Sequence, residues 1–221
     1  MKLLLTSNGI KSGLTNDLLS LLPNKPLGKI SVSYIVTAAF GEKGNKSWVN
    51  IAKNDLQKLG ISDIENLDIR GKTEIELYSI LSKKDIILAN GGNTFYLLKY
   101  VKESGFDKVI KQLVGKDRLY IGVSAGSYIA CPTIEQAYWK DTDRSWKDFD
   151  LTDLTGLNLV PFLITAHFNE SFREAVEEAA KSTRYPFVCL YDTQAVLVND
   201  SSIKIVGEGK KVFYNGFKEM K

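Results

Sequence analysis

The stretch Leu119-Tyr-Ile-Gly-Val-Ser-Ala-Gly-Ser-Tyr-Ile-Ala-Cys-Pro132 constrains this chain more than any other. It opens as an apolar run, Leu119 to Ile121, long enough for a buried strand. It then turns through Gly122-Val-Ser-Ala-Gly126 and continues with residues that can enter a helix. This is the G-x-S-x-G pattern of a nucleophile elbow, in which a serine sits at the apex of a sharp strand-to-helix turn. Gly122 and Gly126 let the backbone pass close by. Ser124 would then hold its hydroxyl out of the sheet, facing the next amide and a helix N-terminus. A simpler reading is a glycine-rich turn whose serine caps the helix. Five residues do not decide between the two.

The rest of the chain supplies the setting. Lys2–Thr6, Ser31–Ala38, Asn66–Ile69, Asp85–Ala89, Leu159–Ala166, Phe187–Tyr191 and Ala195–Val198 read as strands, Ser31–Ala38 being rich in β-branched and aromatic residues. Between them, helical spacing predicts helices over Leu14–Leu22, Trp48–Leu59, Glu74–Leu81, Phe95–Lys102, Phe106–Val114 and Glu170–Lys181. In the last of these, Phe172, Ala175, Val176 and Ala179 are expected to face inward. Ile203–Val206 and Lys211–Tyr214 read as a terminal hairpin around Gly207-Glu-Gly209. Strands alternating with helices predict an α/β fold with a mostly parallel sheet and helices on both faces. No linker or repeat divides the chain, so residues 1–221 are expected to form one domain. Ligands of such sheets sit beyond the carboxyl ends of the strands. Gly91-Gly92 and Ser124 both fall there. The polar stretch 135–155 is long enough to be a substrate lid or an exposed excursion.

Composition removes several function classes. With 44% hydrophobic residues the 221-residue chain can bury a large core, and a net charge of +3 with scattered basic residues gives no nucleic-acid footprint. No apolar stretch approaches a membrane span or a signal peptide, which predicts a cytoplasmic protein. Cys131 and Cys189 stand far apart and define no disulfide framework. A single histidine, His167, cannot build a His-based zinc site with two isolated cysteines. No metal is expected on that ground, although an all-carboxylate Mg2+ site stays open. Gly91-Gly92 matches neither dinucleotide nor P-loop patterns, so no cofactor is expected. Oligomeric state is not legible.

Ser124 needs a base to act as a nucleophile near neutral pH, and the only imidazole is His167, at the end of an expected strand. The base in turn needs an orienting acid. Asp192 is the first candidate, with Asp141 and Asp143 as alternatives; a turn residue before Thr193 is the plainer reading of Asp192. For the oxyanion, Ala125 offers the amide after the nucleophile, and Gly91 or Gly92 a second. The same elbow would suit an esterase of the α/β-hydrolase type, where the acid precedes the histidine, or the scaffold could serve a binding protein without catalysis.

Several segments together resemble the dipeptidase E family of serine peptidases, which includes aspartyl dipeptidase and is related to cyanophycinase. They are Leu3–Asn8, Gly91–Lys99, Leu119–Gly126, Ala130–Ile134 and Pro161–Phe168, in the family's order across most of the chain. The resemblance implies a class I glutamine amidotransferase-like fold with serine in place of cysteine at the elbow. It implies Ser124 as nucleophile, His167 as base and hydrolysis of short peptides. Gly92 and Ala125 match the oxyanion-hole positions, and Asp192 matches an acidic position that is usually glutamate. Asn93 and Arg173 are the substrate-binding candidates. Asn169–Glu174 is shorter than the family's basic segment, so Arg173 is only a loose counterpart of an arginine that holds the substrate's aspartate side chain.

Overall fold

A computed structural model describes residues 1–116, 118–139, 149 and 151–220. Asp141 and Asp143, two of the candidate acids, and much of the candidate lid 135–155 lie outside the described residues.

The strands are β1 (Lys2–Thr6), β2 (Ser31–Ile35), β3 (Asp63–Leu67), β4 (Ile86–Ala89), β5 (Leu119–Val123), β6 (Leu163–Thr165), β7 (Phe187–Cys189), β8 (Gln194–Asn199), β9 (Ser202–Gly207) and β10 (Val212–Tyr214). The helices are α1 (Thr15–Leu21), α2 (Ile51–Lys58), α3 (Glu74–Leu81), α4 (Thr94–Ser104), α5 (Phe106–Val114), α6 (Ala125–Ile129) and α7 (Arg173–Ser182). Among the described residues, seven strands form the main sheet in the order β3-β2-β4-β5-β1-β8-β9. Its first five are mutually parallel, while β8 and β9 join antiparallel. A smaller sheet runs β10-β7-β6.

Chain direction decides which face each helix covers. From β1 to β2 and on to β3 the chain moves one way along the sheet. From β3 to β4 and β5 it moves back. Right-handed crossovers therefore put α1 and α2 on one face and α3, α4 and α5 on the other. Burial follows that division. Leu14, Leu18, Leu21, Ala52 and Leu56 pack with Leu4, Val32 and Ile121 in one core. Leu77, Leu81, Phe95, Leu98, Val109 and Ile110 pack with Leu3, Ile87 and Tyr120 in the other. Successive β-strand side chains point to opposite faces, so β1 and β5 feed both cores. Adjacent strands β1 and β5, and likewise β2 and β4, send their connections to opposite faces, which opens a crevice at their carboxyl ends.

Four expectations need correction. β3 starts at Asp63 rather than Asn66; it is an edge strand whose exposed residues dilute the apolar signal. Only Leu163–Thr165 of the expected strand 159–166 is extended. The preceding residues bond elsewhere, Leu157 N–H to the Ile129 carbonyl and Leu159 N–H to that of Ala130, before Pro161. The C-terminal hairpin is β8–β9, turning at Asp200 with φ 53°, and not β9–β10. Gly207, with φ 89°, has no room for a Cβ against the Thr193 carbonyl, and the chain leaves there for β10 in the second sheet. In α7, which begins at Arg173, Val176 is the buried residue and Ala175 faces solvent.

Candidate active site

Both glycines of the elbow are required by close approach. A Cβ on Gly126 would lie 2.0 Å from the Ala89 carbonyl oxygen, and one on Gly122 would lie 2.6 Å from that of Gly126. β5 therefore passes into α6 directly against the end of β4. Between them Ser124 has φ 49° and ψ −105°, outside even the left-handed helical region. Asn158, Asp200 and Asn215 also have positive φ, but such residues adopt it readily. Ser124 is strained, and its surroundings hold it so. Its N–H donates to the Thr6 carbonyl (3.0 Å), the Ser127 hydroxyl donates to the same oxygen (2.8 Å), and the buried Tyr120 hydroxyl donates to the Gly126 carbonyl (2.8 Å).

The Ser124 side chain makes no capping bond to α6. Its Oγ lies 3.0 Å from His167 Nε2 instead. On the other ring edge, His167 Nδ1 lies 2.6 Å from Asp192 Oδ1. An ionised carboxylate can only accept, so this contact puts a proton on Nδ1 and leaves Nε2 free to accept the serine proton. Asp192 also accepts from the Ser7 hydroxyl (3.2 Å, Oδ1) and the Asn8 amide (3.1 Å, Oδ2). Partial burial pushes the Asp192 carboxyl up. The His167 charge and the hydrogen bonds from His167, Asn8 and Ser7 outweigh that and leave it below its ordinary value.

His167 is carried by the second sheet, two residues past the end of β6, and not by the sheet that carries Ser124. It follows β6, its own φ is 55°, and its N–H donates to Ser7 Oγ (2.7 Å). The preceding amide, Ala166 N–H, donates to the buried Tyr128 hydroxyl at 3.1 Å. Ser7 thus touches two of the three polar partners and is wholly buried. Sequence reasoning did not single out Ser7 or Asn8. The available signal was their position: polar residues immediately beyond an apolar strand, as at β4 and β5.

The crevice beside Ser124 is a half-open cavity of about 360 Å³. Gly91, Gly92, His167 and Ser124 line it, together with Glu42, Lys43 and Trp48. Gly91 approaches so closely that a Cβ there would lie 3.4 Å from Ser124 Cβ. Gly92 has φ 130° and lies against Ala38, where a Cβ would come within 2.6 Å of its carbonyl. Ala125 begins α6, so its N–H belongs to the first turn and has no intrahelical acceptor.

The two substrate-binding candidates lie elsewhere. Asn93 is buried and caps α4, its Oδ1 accepting from Tyr96 N–H at 2.8 Å, and it does not line the cavity. Arg173 does not line it either; its Nε and Nη2 hold the Glu170 carboxylate at 2.6 and 3.0 Å. That pairing, helped by the Tyr191 hydroxyl, lowers Glu170 to about 2. Among the described residues no group of three or more His, Cys, Asp or Glu side chains is placed to hold a metal ion.

The model of peptidase family S51 matches residues 3–206. The chain belongs to that family. An uncharacterized peptidase of Listeria monocytogenes is 38% identical over 162 residues, covering 71% of this chain and 77% of its own. Peptidase E of Escherichia coli is 29% identical over 193 residues, 83% of this chain and 76% of that protein. The crystal structure of a putative peptidase E protein from Listeria monocytogenes EGD-e superposes with a TM-score of 0.79 at 30% identity, covering 94% of this chain and 98% of the other. This S51 member is a serine-type peptidase of the dipeptidase E kind, built on the mostly parallel α/β sheet that the elbow requires.

Proposed function

We propose that Ser124, His167 and Asp192 are the catalytic triad of this peptidase and that it hydrolyses short peptides. One observation carries the reading: the continuous relay from Ser124 Oγ through both ring nitrogens of His167 to Asp192. Ser124 Oγ attacks the scissile carbonyl carbon as its proton passes to His167 Nε2. Asp192 holds the Nδ1 proton and stabilises the imidazolium that results. The N–H groups of Gly92 and Ala125 receive the developing oxyanion. His167 then protonates the leaving amine, and water repeats the sequence on the acyl-enzyme.

The chain order Ser124, His167, Asp192 also supports this reading over an esterase of the α/β-hydrolase type, where the acid comes second. Among the described residues no helix is long and apolar enough to cross a membrane. Both buried cysteines are free thiols, which suits a reducing compartment, so we place the enzyme in the cytoplasm as a single domain over 1–221.

The test is dipeptide hydrolysis by Ser124→Ala. Because a triad acts as a unit, kcat should fall by about 10⁴-fold or more. Wild-type turnover by a folded Ser124→Ala protein would end the proposal.

A further inference from the structure

The turn Thr37–Gly41 follows β2 and lies behind the glycine pair. Its Ala38 carbonyl accepts from Asn93 N–H at 3.0 Å, and Ala38 fills the space where Gly92 would carry a side chain. Gly41 is pressed just as closely on α4, where a Cβ would lie 2.5 Å from Tyr96 Cβ. The chain then runs straight into Glu42 and Lys43, which line the cavity. One short turn therefore abuts Gly92 and leads directly into two charged residues of the cavity lining.

What fixes that turn is a group beyond the end of β3, outside the cavity. Arg70 grips Asp68 through Nε (2.7 Å) and Nη2 (2.6 Å), and its third nitrogen, Nη1, donates to the Tyr96 hydroxyl at 3.0 Å. Asp68 accepts in turn from the Thr37 hydroxyl at 2.9 Å, at the start of the turn. The guanidinium lies 3.9 Å from the centre of the Phe40 ring, near the turn's end, although Phe40 is 47% exposed. Arg70 thus reaches the turn at both ends, at Thr37 through Asp68 and at Phe40 directly through a cation–π stack. Both partners of the Asp68–Arg70 pair are only partly buried, and the contacts converge on the turn that abuts Gly92.

We propose that Arg70 is a positioning residue for the peptidase reaction, acting through the Thr37–Gly41 turn on the Gly92 amide and on the Glu42–Lys43 wall. The inference rests on Gly92 serving the oxyanion. A small displacement of a preorganised donor weakens transition-state binding without removing any group that touches substrate.

The experiment measures kcat, KM and the ratio of kcat/KM for acidic against basic dipeptides in wild type, Arg70→Ala, Arg70→Lys and Phe40→Leu. Rates are normalised to the active sites that a fluorophosphonate titrates, which removes any change in folded fraction. Arg70→Ala should lower kcat about tenfold per titrated site and shift the acidic-to-basic ratio. Arg70→Lys, which keeps the charge but loses the fork and the stack, should fall between it and wild type. Wild-type kcat and selectivity per titrated site in Arg70→Ala would overturn the proposal. If that variant does not fold, unchanged values in both Arg70→Lys and Phe40→Leu overturn it. Full activity in Ser124→Ala, run alongside, would sink the triad reading itself and this inference with it.

Discussion

At the scale of single residues, the site depends on which atom holds a proton. Asp192 is a short, hydrogen-bonded partner of Nδ1, and that fixes Nε2 as the acceptor facing Ser124. Asp192→Asn keeps the shape and removes the carboxylate, so kcat for dipeptides should drop by roughly 10³- to 10⁴-fold while the protein stays folded. Linkage gives a second readout. The Asp192 carboxyl lies below its ordinary 3.8 in the folded protein, so the stability it contributes is present above the unfolded value and is lost as pH falls through the folded one. The difference in urea midpoint between wild type and Asp192→Asn should therefore shrink as pH is lowered below about 4. Because half of its side chain is exposed, that difference is expected to be small even at neutral pH. Arg173 makes the opposite case. Its guanidinium is committed to Glu170, so Arg173→Met should leave KM for acidic dipeptides within about twofold of wild type, a change on the scale of surface electrostatics.

At the scale of elements, the elbow was legible because its glycines answer to backbone contacts that any strand-turn-helix of this tightness must make. Gly126→Ala drives a methyl group into the Ala89 carbonyl, where neither backbone segment can give way. Overpacking of this kind costs about 1–3 kcal/mol or more. We expect a lower urea midpoint for Gly126→Ala, together with slower fluorophosphonate labelling of the protein that does fold. The glycines after β4 and the strand end before His167 were legible for a related reason, although β6 begins only at Leu163: short apolar runs ending in small or polar residues mark strand ends. The hairpin was not. Ala195–Val206 and Lys211–Tyr214 have the same local character, and only the tertiary fit of Gly207 against Thr193 sends the last strand to another sheet. Ser7 was missed for the same reason. Its importance lies in contacts more than 150 residues away, to His167 and Asp192, which no local pattern encodes.

At the scale of the molecule, two sheets meet at one centre. The main sheet brings Ser124, Gly92 and Ser7 together through the reversal of chain direction that opens the crevice. The small sheet brings His167, just beyond β6, and Asp192, just beyond β7, against that crevice. Contacts between Ser7, Asn8 and the His167–Asp192 pair hold the sheets in register at the point where chemistry would occur. The cavity of about 360 Å³ is at the low end for small-ligand sites. Steady-state assays on a length series should accordingly give higher kcat/KM for dipeptides than for pentapeptides. The most direct test of the account is where a fluorophosphonate reacts. Intact-mass measurement and peptide mapping should find one adduct, on Ser124, formed much more slowly in His167→Ala. An active peptidase that carries no adduct on Ser124, or carries it on another serine, would contradict the account.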